Sequence, residues 1–123
     1  MSPEFRSWVA NLNNERIVNL ADDIDNLRTM IKIISHADIF FAPSTGPLHI
    51  ADALNIKTIG IHCRRNVSSA NHQGILNDVS INLEVPEDYC NSFCSQDKQK
   101  CAIQTGLNEE NVIGAINKLL AIK

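Results

Sequence analysis

The chain has 123 residues and is 44% apolar and 20% charged, which is typical of a globular protein and excludes a disordered one. Its net charge of −3, with no basic cluster beyond Arg64-Arg65, argues against nucleic acid as the main partner. The apolar runs are too short to span a bilayer, and the first residues lack the apolar core of a signal peptide. We therefore expect a cytoplasmic protein with a single domain over residues 1–123.

The first third of the chain predicts a helix, a strand and a second helix. Apolar side chains from Phe5 to Leu12 recur at helical spacing, and Asn13-Asn14 then ends this helix. Residues 16–20 are a short strand candidate. A polar turn follows, with Asp25 as the predicted N-cap of a helix that starts at Leu27 and ends near His36.

The middle of the chain predicts a strand, a helix and another strand. An apolar run over 38–42 is a buried strand, and 47–55 is the next helix. Asn55 is suited to its C-terminal cap, and a third strand covers 57–62. Residues 63–78 lose the pattern and predict a long loop with a short helix.

The last third predicts one more strand and a closing helix. Residues 79–83 alternate between apolar and polar, and 84–106 are irregular. Asn108 caps the closing helix, which carries two glutamates in its first turn. Its predicted apolar face consists of Val112, Ile113, Ile116, Leu119 and Leu120. Strands that alternate with helices predict an α/β fold with a parallel sheet, whose ligands lie beyond the carboxyl ends of its strands.

The turn over 44–49, between the second strand and its helix, has the chemistry of an anion site. Gly46 allows a ligand close to the backbone, and Pro47 suits a first helical position. The N–H groups of Thr45, Gly46 and Leu48 are expected to point at the ligand, with His49 as a further donor. The hydroxyls of Ser44 and Thr45 can donate to a phosphate or cap the helix. The alternative is an ordinary helix start with a buried structural histidine.

The residues around this turn carry a resemblance to a known family. Leu20-Ala21 and the stretch 27–54, which contains Ser-Thr-Gly-Pro-Leu-His, resemble glycosyltransferase family 9, the lipopolysaccharide heptosyltransferases. The similarity continues through Thr58-Ile59-Gly60 and more loosely into the cysteine-containing tail. It resembles the C-terminal, donor-binding half of a two-domain B-type glycosyltransferase, which implies a Rossmann-like parallel sheet flanked by helices.

The resemblance implies that residues 44–49 bind the diphosphate of a nucleotide-sugar. The positions of the family's binding motif correspond to Ser44, Thr45, Gly46 and His49. The implied donor is ADP-heptose, used in bacterial lipopolysaccharide or surface-glycan biosynthesis, with no cofactor besides the donor. It also implies a separate N-terminal half that carries the acceptor site and the catalytic base. We therefore assign no catalytic residue in this chain and expect it to be inactive alone. The partners implied are that half, if encoded separately, and the inner face of the membrane.

The sequence departs from the family pattern at three places, and the last two suggest alternative roles for the residues found there. Many members have Asp at the position of Ser44, and a small residue at the position of Asp52. Asp52 lies three residues after His49 on the helix, so it either orients the imidazole or is a solvated charge. Arg64 and Arg65 stand in place of a Gly-Pro-Thr type loop, where they either contact phosphate or remain on the surface.

The cysteines Cys90, Cys94 and Cys101 are spaced by three and six residues, which is not a standard zinc motif. We expect no metal, since a cytosolic chain keeps such thiols largely reduced. The alternative is a zinc site completed by His62 or His72. Cys63 ends a strand and is expected to pack in the core.

Two further functions stay open. One is a non-catalytic interaction module, or a truncated product, that forms a homodimer through an exposed sheet edge or apolar face. The other is an epimerase-like enzyme of related fold, which also places nucleotide-sugar phosphates at a helix start.

Overall fold

The computed structural model of the chain describes residues 2–63, 70, 74–93 and 103–122. The helices of this part are α1 (Pro3–Asn11), α2 (Leu27–Ile34), α3 (Gly46–Ala53), α4 (Glu87–Phe93), α5 (Ile103–Gly106) and α6 (Glu109–Leu120). The strands are β1 (Ile39–Pro43), β2 (Lys57–His62) and β3 (Ile81–Glu84). The predicted order of elements from residue 27 to β3 and the closing helix α6 are confirmed, and the chain has an α/β fold. The prediction that 84–106 is irregular is wrong where α4 and α5 form.

The three strands form one parallel sheet in the order β1-β2-β3. The register pairs Pro43 with Ile61 and His62 with Glu84, so the carboxyl ends of all three strands lie at one edge. β2 is the central strand and is nearly continuously buried, as expected for a parallel strand covered on both faces.

Each face of the sheet packs against a different part of the chain. On one face, Leu48 of α3 and Ile75 of the β2–β3 connection form a core cluster with Ala42. On the other, Ala115 and Leu119 of α6 pack against Ile59, together with half-buried Ile39, Ile81, Leu83 and Ile116. The sheet is therefore covered on both sides, which is the layered arrangement of a Rossmann-like α/β domain.

Gly60 sits where α3 approaches the sheet most closely. A methyl group at this position would lie 2.7 Å from Nε2 of His62, 2.9 Å from Cδ2 of Leu48 and 3.0 Å from Cδ1 of Ile75. The absence of a side chain on Gly60 thus lets these three groups converge over β2.

The N-terminal residues pack loosely. α1 forms as predicted but buries none of its residues, and Arg6 forms an ion pair with Asp22 at 2.6 Å between two exposed side chains. The predicted strand over 16–20 is wrong. Side chains of Asn14 and Asn19 accept the N–H groups of Arg16 and Ala21, and such local bonds satisfy the backbone without a neighbouring strand.

Two details of the helices also differ from the predictions. The N-cap of α2 is Asn26, which accepts the N–H of Thr29 at 2.8 Å, and not Asp25. Asp25 instead accepts from the Asn26 side-chain amide at 2.6 Å. In α6, Ile113 and Leu120 are exposed by 54% and 62%, so they do not belong to the predicted apolar face.

Two helix ends match the predictions. Asn108 caps α6 and exchanges reciprocal side-chain bonds with Asn111. Asn55 follows α3 with a φ of 61°. None of the helices in the described ranges is long and apolar enough to cross a membrane.

Candidate functional site

The predicted anion-binding turn lies at the carboxyl edge of the sheet, between β1 and α3. Ser44 continues the pairing of β1 with β2, because its N–H donates to the carbonyl of Ile61 at 3.0 Å. The chain then leaves the sheet at Thr45, whose extended backbone (φ −140°, ψ 170°) precedes the first residue of the helix. Ligands of open parallel sheets bind at this position in the fold.

Two backbone amides of the turn are available to a ligand. In the described part of the chain, the N–H groups of Thr45 and Gly46 find no acceptor. Pro47 has no N–H, and the hydroxyl of Thr45 donates to the carbonyl of Pro43 at 3.2 Å and so does not cap the helix. The first turn of α3 therefore lacks a side-chain cap, and its positive dipole end faces outward.

The prediction that the N–H of Leu48 is also available is wrong. This N–H donates to the carbonyl of Thr45 at 3.1 Å, which tightens the first turn of the helix. The Leu48 side chain is fully buried, as is Ala51 one turn later. Leu48 thus anchors the turn to the core.

The outer surface of the turn is open. Thr45, Gly46 and His49 are exposed, and a methyl group at Gly46 would meet nothing within 4 Å. The His49 imidazole makes no hydrogen bond or ion pair within the described ranges. An anion that approached Gly46 would meet two amides without an acceptor in the described ranges and the end of a helix dipole, with the exposed His49 three residues farther along the helix.

Asp52 neither orients His49 nor stands free in solvent, so both readings of this residue are wrong. It is half-buried, and its two carboxylate oxygens accept the N–H groups of Leu76 (3.0 Å) and Asn77 (2.9 Å). The two donors belong to the stretch 63–78, which has no clear sequence pattern, so no spacing rule pointed to the contact.

His62 is a polar residue at this edge whose environment the sequence did not reveal. It is fully buried at the end of β2, and neither ring nitrogen has a hydrogen-bond partner among the residues that the structure describes. Buried polar atoms without partners are rare in native proteins. The signal in the sequence was a histidine at an inward-facing position of an apolar strand.

Several predicted site residues lie outside the described residues: Arg64, Arg65, His72, Cys94 and Cys101. Cys90 is described, and it is buried in α4 against Val85, beside Leu107. No group of three metal-ligating side chains occurs within the described ranges. The phosphate role of the arginines and the metal alternative for the cysteines stay predictions.

The sequence of this chain is similar to that of a curated protein and matches a protein family. A protein of Haemophilus influenzae (strain ATCC 51907 / DSM 11121 / KW20 / Rd) named "Putative glycosyltransferase" is 38% identical over 71 residues. The aligned stretch covers 58% of this chain and only 20% of that protein. No solved structure matches the chain. The profile of glycosyltransferase family 9 (heptosyltransferase) matches residues 4–102, and the chain therefore belongs to glycosyltransferase family 9.

Proposed function

We propose that this chain is the nucleotide-sugar-binding portion of a glycosyltransferase and that the donor's diphosphate binds at the β1–α3 turn. The observation that carries the proposal is the pair of N–H groups on Thr45 and Gly46, which find no acceptor in the described ranges and lie at the start of an uncapped helix. Membership of the glycosyltransferase family supports the same assignment.

The physical contributions favour an anion over a neutral ligand. Hydrogen bonds to a charged partner contribute about 1.5–3 kcal/mol each, and a helix N-terminus adds about 0.3–1 kcal/mol at an exposed site. The His49 imidazole carries an N–H that can donate to a phosphate oxygen. Ser44 lies at the same turn, where its backbone N–H donates to the carbonyl of Ile61 in β2.

Within this proposal, the donor is ADP-heptose and the pathway is bacterial lipopolysaccharide or surface-glycan assembly. Glycosyl transfer needs a base to remove the proton of the acceptor hydroxyl. We assign that base and the acceptor site to a second, N-terminal half, so this chain binds the donor and does not catalyse transfer alone. The small share of the relative that it covers is consistent with a partner half.

Replacing His49 with alanine tests the proposal. Calorimetric titration of the full chain with ADP should show affinity about tenfold lower for His49→Ala, because one hydrogen bond to the phosphate is lost. The matched control is His36→Ala at an exposed histidine that contacts the carbonyl of Lys32; its affinity should equal that of the wild type. Equal affinity of His49→Ala and wild type would remove His49 from the site.

A side chain at Gly46 provides a second, independent test. Gly46→Val adds methyl groups where the folded chain leaves open space, so the protein should fold normally while ADP binding falls by about tenfold or more. Gly114→Val in α6 also adds methyl groups in open space and should leave affinity unchanged. Full affinity in Gly46→Val would mean that the diphosphate lies elsewhere.

A second function, an interaction module, is favoured by one observation. Phe41 and Ile113 are about half exposed and line an apolar groove of about 500 Å³ with Ile61, Leu107 and Val112. Exposed apolar surface of this kind often mediates association. Light scattering over a range of concentrations distinguishes the two: self-association without ADP binding would favour the module, and a monomer that binds ADP would favour the donor site.

A further inference from the structure

The residues 75–77, which we call the clamp segment, are bonded to α3 on one side and to β3 on the other. From α3, the two carboxylate oxygens of Asp52 accept the N–H groups of Leu76 and Asn77 at 3.0 and 2.9 Å. From β3, Asn82 accepts the N–H of Ile75 at 2.9 Å and donates to its carbonyl at 3.3 Å. The clamp segment thus ties the helix to the far strand of the sheet.

The clamp segment also touches the core beneath the anion-binding turn. Ile75 is buried and packs in one cluster with Leu48 and Ala42. Leu48 is only two residues beyond Gly46, and its N–H donates to the carbonyl of Thr45. Leu48 and Ile75 converge over Gly60, where they lie 2.9 and 3.0 Å from the position that a methyl group would take. Because Leu48 and Ile75 pack in one cluster, we expect a shift of the clamp segment to move Leu48 and with it the amides of Thr45 and Gly46.

The charge of Asp52 works against an anion site. A carboxylate in the last turn of a helix opposes the helix dipole. It also lies about 9 Å along the axis from Gly46, given a rise of about 1.5 Å per residue, so it repels a phosphate there. Any benefit of Asp52 to the turn must come through its two hydrogen bonds.

We propose that Asp52 is a positioning residue for the diphosphate-binding turn, acting through the clamp segment and Leu48 on the placement of the Thr45 and Gly46 amides. This inference rests on the proposed donor-binding function.

Two substitutions separate geometry from charge. Asp52→Asn removes the charge and leaves one acceptor oxygen, whereas Asp52→Glu keeps the charge and displaces both acceptors. A positioning role predicts that both variants bind ADP about threefold to tenfold more weakly in calorimetric titration of the full chain. Tighter binding by Asp52→Asn with no change in Asp52→Glu would show that only the charge acts, and unchanged affinity in both would also overturn the proposal.

The control for a general loss of stability is Asn108→Ala, which removes the side-chain cap of α6 on the opposite face of the sheet. This variant should unfold at a lower temperature and bind ADP like the wild type.

A measurement without ligand tests this proposal separately from the donor site itself. The backbone amide NMR signals of Thr45 and Gly46 should shift in Asp52→Glu and not in Asn108→Ala. If those signals stay in place, the positioning role is wrong even if ADP binds; if they shift and ADP does not bind, the donor site is wrong.

Discussion

At the scale of single residues, three side chains around the turn have environments that differ from what their type suggests. Leu48 contributes no free amide and instead anchors the turn in the core. Asp52, a charged residue, is held by backbone donors. His62 is buried, and neither of its ring nitrogens has a partner in the described part of the chain. Each of these roles depends on atoms that are distant in the sequence or on burial, which residue type alone does not specify.

Gly60 provides a test of the packing behind the turn. Gly60→Ala places a methyl group 3.0 Å or closer to atoms of His62, Leu48 and Ile75. Overpacking of this kind should lower the free energy of unfolding by about 1–3 kcal/mol, measured by urea denaturation.

The control for this prediction is Gly114→Ala in α6, where a methyl group meets nothing within 4 Å. Its stability should stay the same or increase by up to about 1 kcal/mol, because alanine favours helix more than glycine does. Equal stability of Gly60→Ala and wild type would show that α3 lies farther from the sheet than the structure places it.

At the scale of elements, both ends of α3 follow from local chemistry. Its start is marked by Gly-Pro after an extended Thr45. Its end is a Schellman arrangement, in which the N–H of Ile56 donates to the carbonyl of Ala51 and that of Asn55 to the carbonyl of Asp52. Such caps depend on residues close in sequence, which is why the helix was predicted within two residues at each end.

Asn55 should be sensitive to substitution for this reason. Its φ of 61° is in the left-handed region, which costs most L-residues about 1–2 kcal/mol. Asn55→Ala should therefore lower the free energy of unfolding by about 1 kcal/mol, while Asn55→Gly should be neutral or stabilising. Denaturation of the two variants side by side checks this, and an alanine variant as stable as the glycine variant would contradict it.

The predicted strand over 16–20 shows the limit of local reasoning. Its composition favours an extended strand, but a strand exists only if another strand supplies hydrogen-bond partners. Within the described ranges this stretch pairs with no strand, and the side chains of Asn14 and Asn19 accept the N–H groups of Arg16 and Ala21 instead. α6 shows a similar limit: its apolar residues cover more than one face, and only contact with β2 decides that Ala115 and Leu119 are buried.

At the scale of the whole molecule, stability is concentrated in the sheet and its two covering layers. β2 is buried on both faces, whereas α1 buries no residue and its exposed Arg6–Asp22 ion pair contributes little. Local opening should therefore require much less free energy in α1 than in β2.

Hydrogen exchange followed by mass spectrometry checks this difference. The amides of β2 should exchange at least about a hundredfold more slowly than those of α1, since they open only with the whole domain. Similar protection in the two elements would mean that α1 is held by contacts that the described residues do not show.

The sequence by itself determined the α/β class, most element positions from residue 27 onward, the caps at Asn55 and Asn108, and the turn at 44–49. These follow from periodicity and from the conformational preferences of residues near one another in the chain. Only the tertiary structure decided which amides of the turn are free, what Asp52 holds and where His62 is buried. Those outcomes depend on contacts between β1, α3 and the β2–β3 connection, because a hydrogen bond or a buried position requires a partner that only the folded chain brings near.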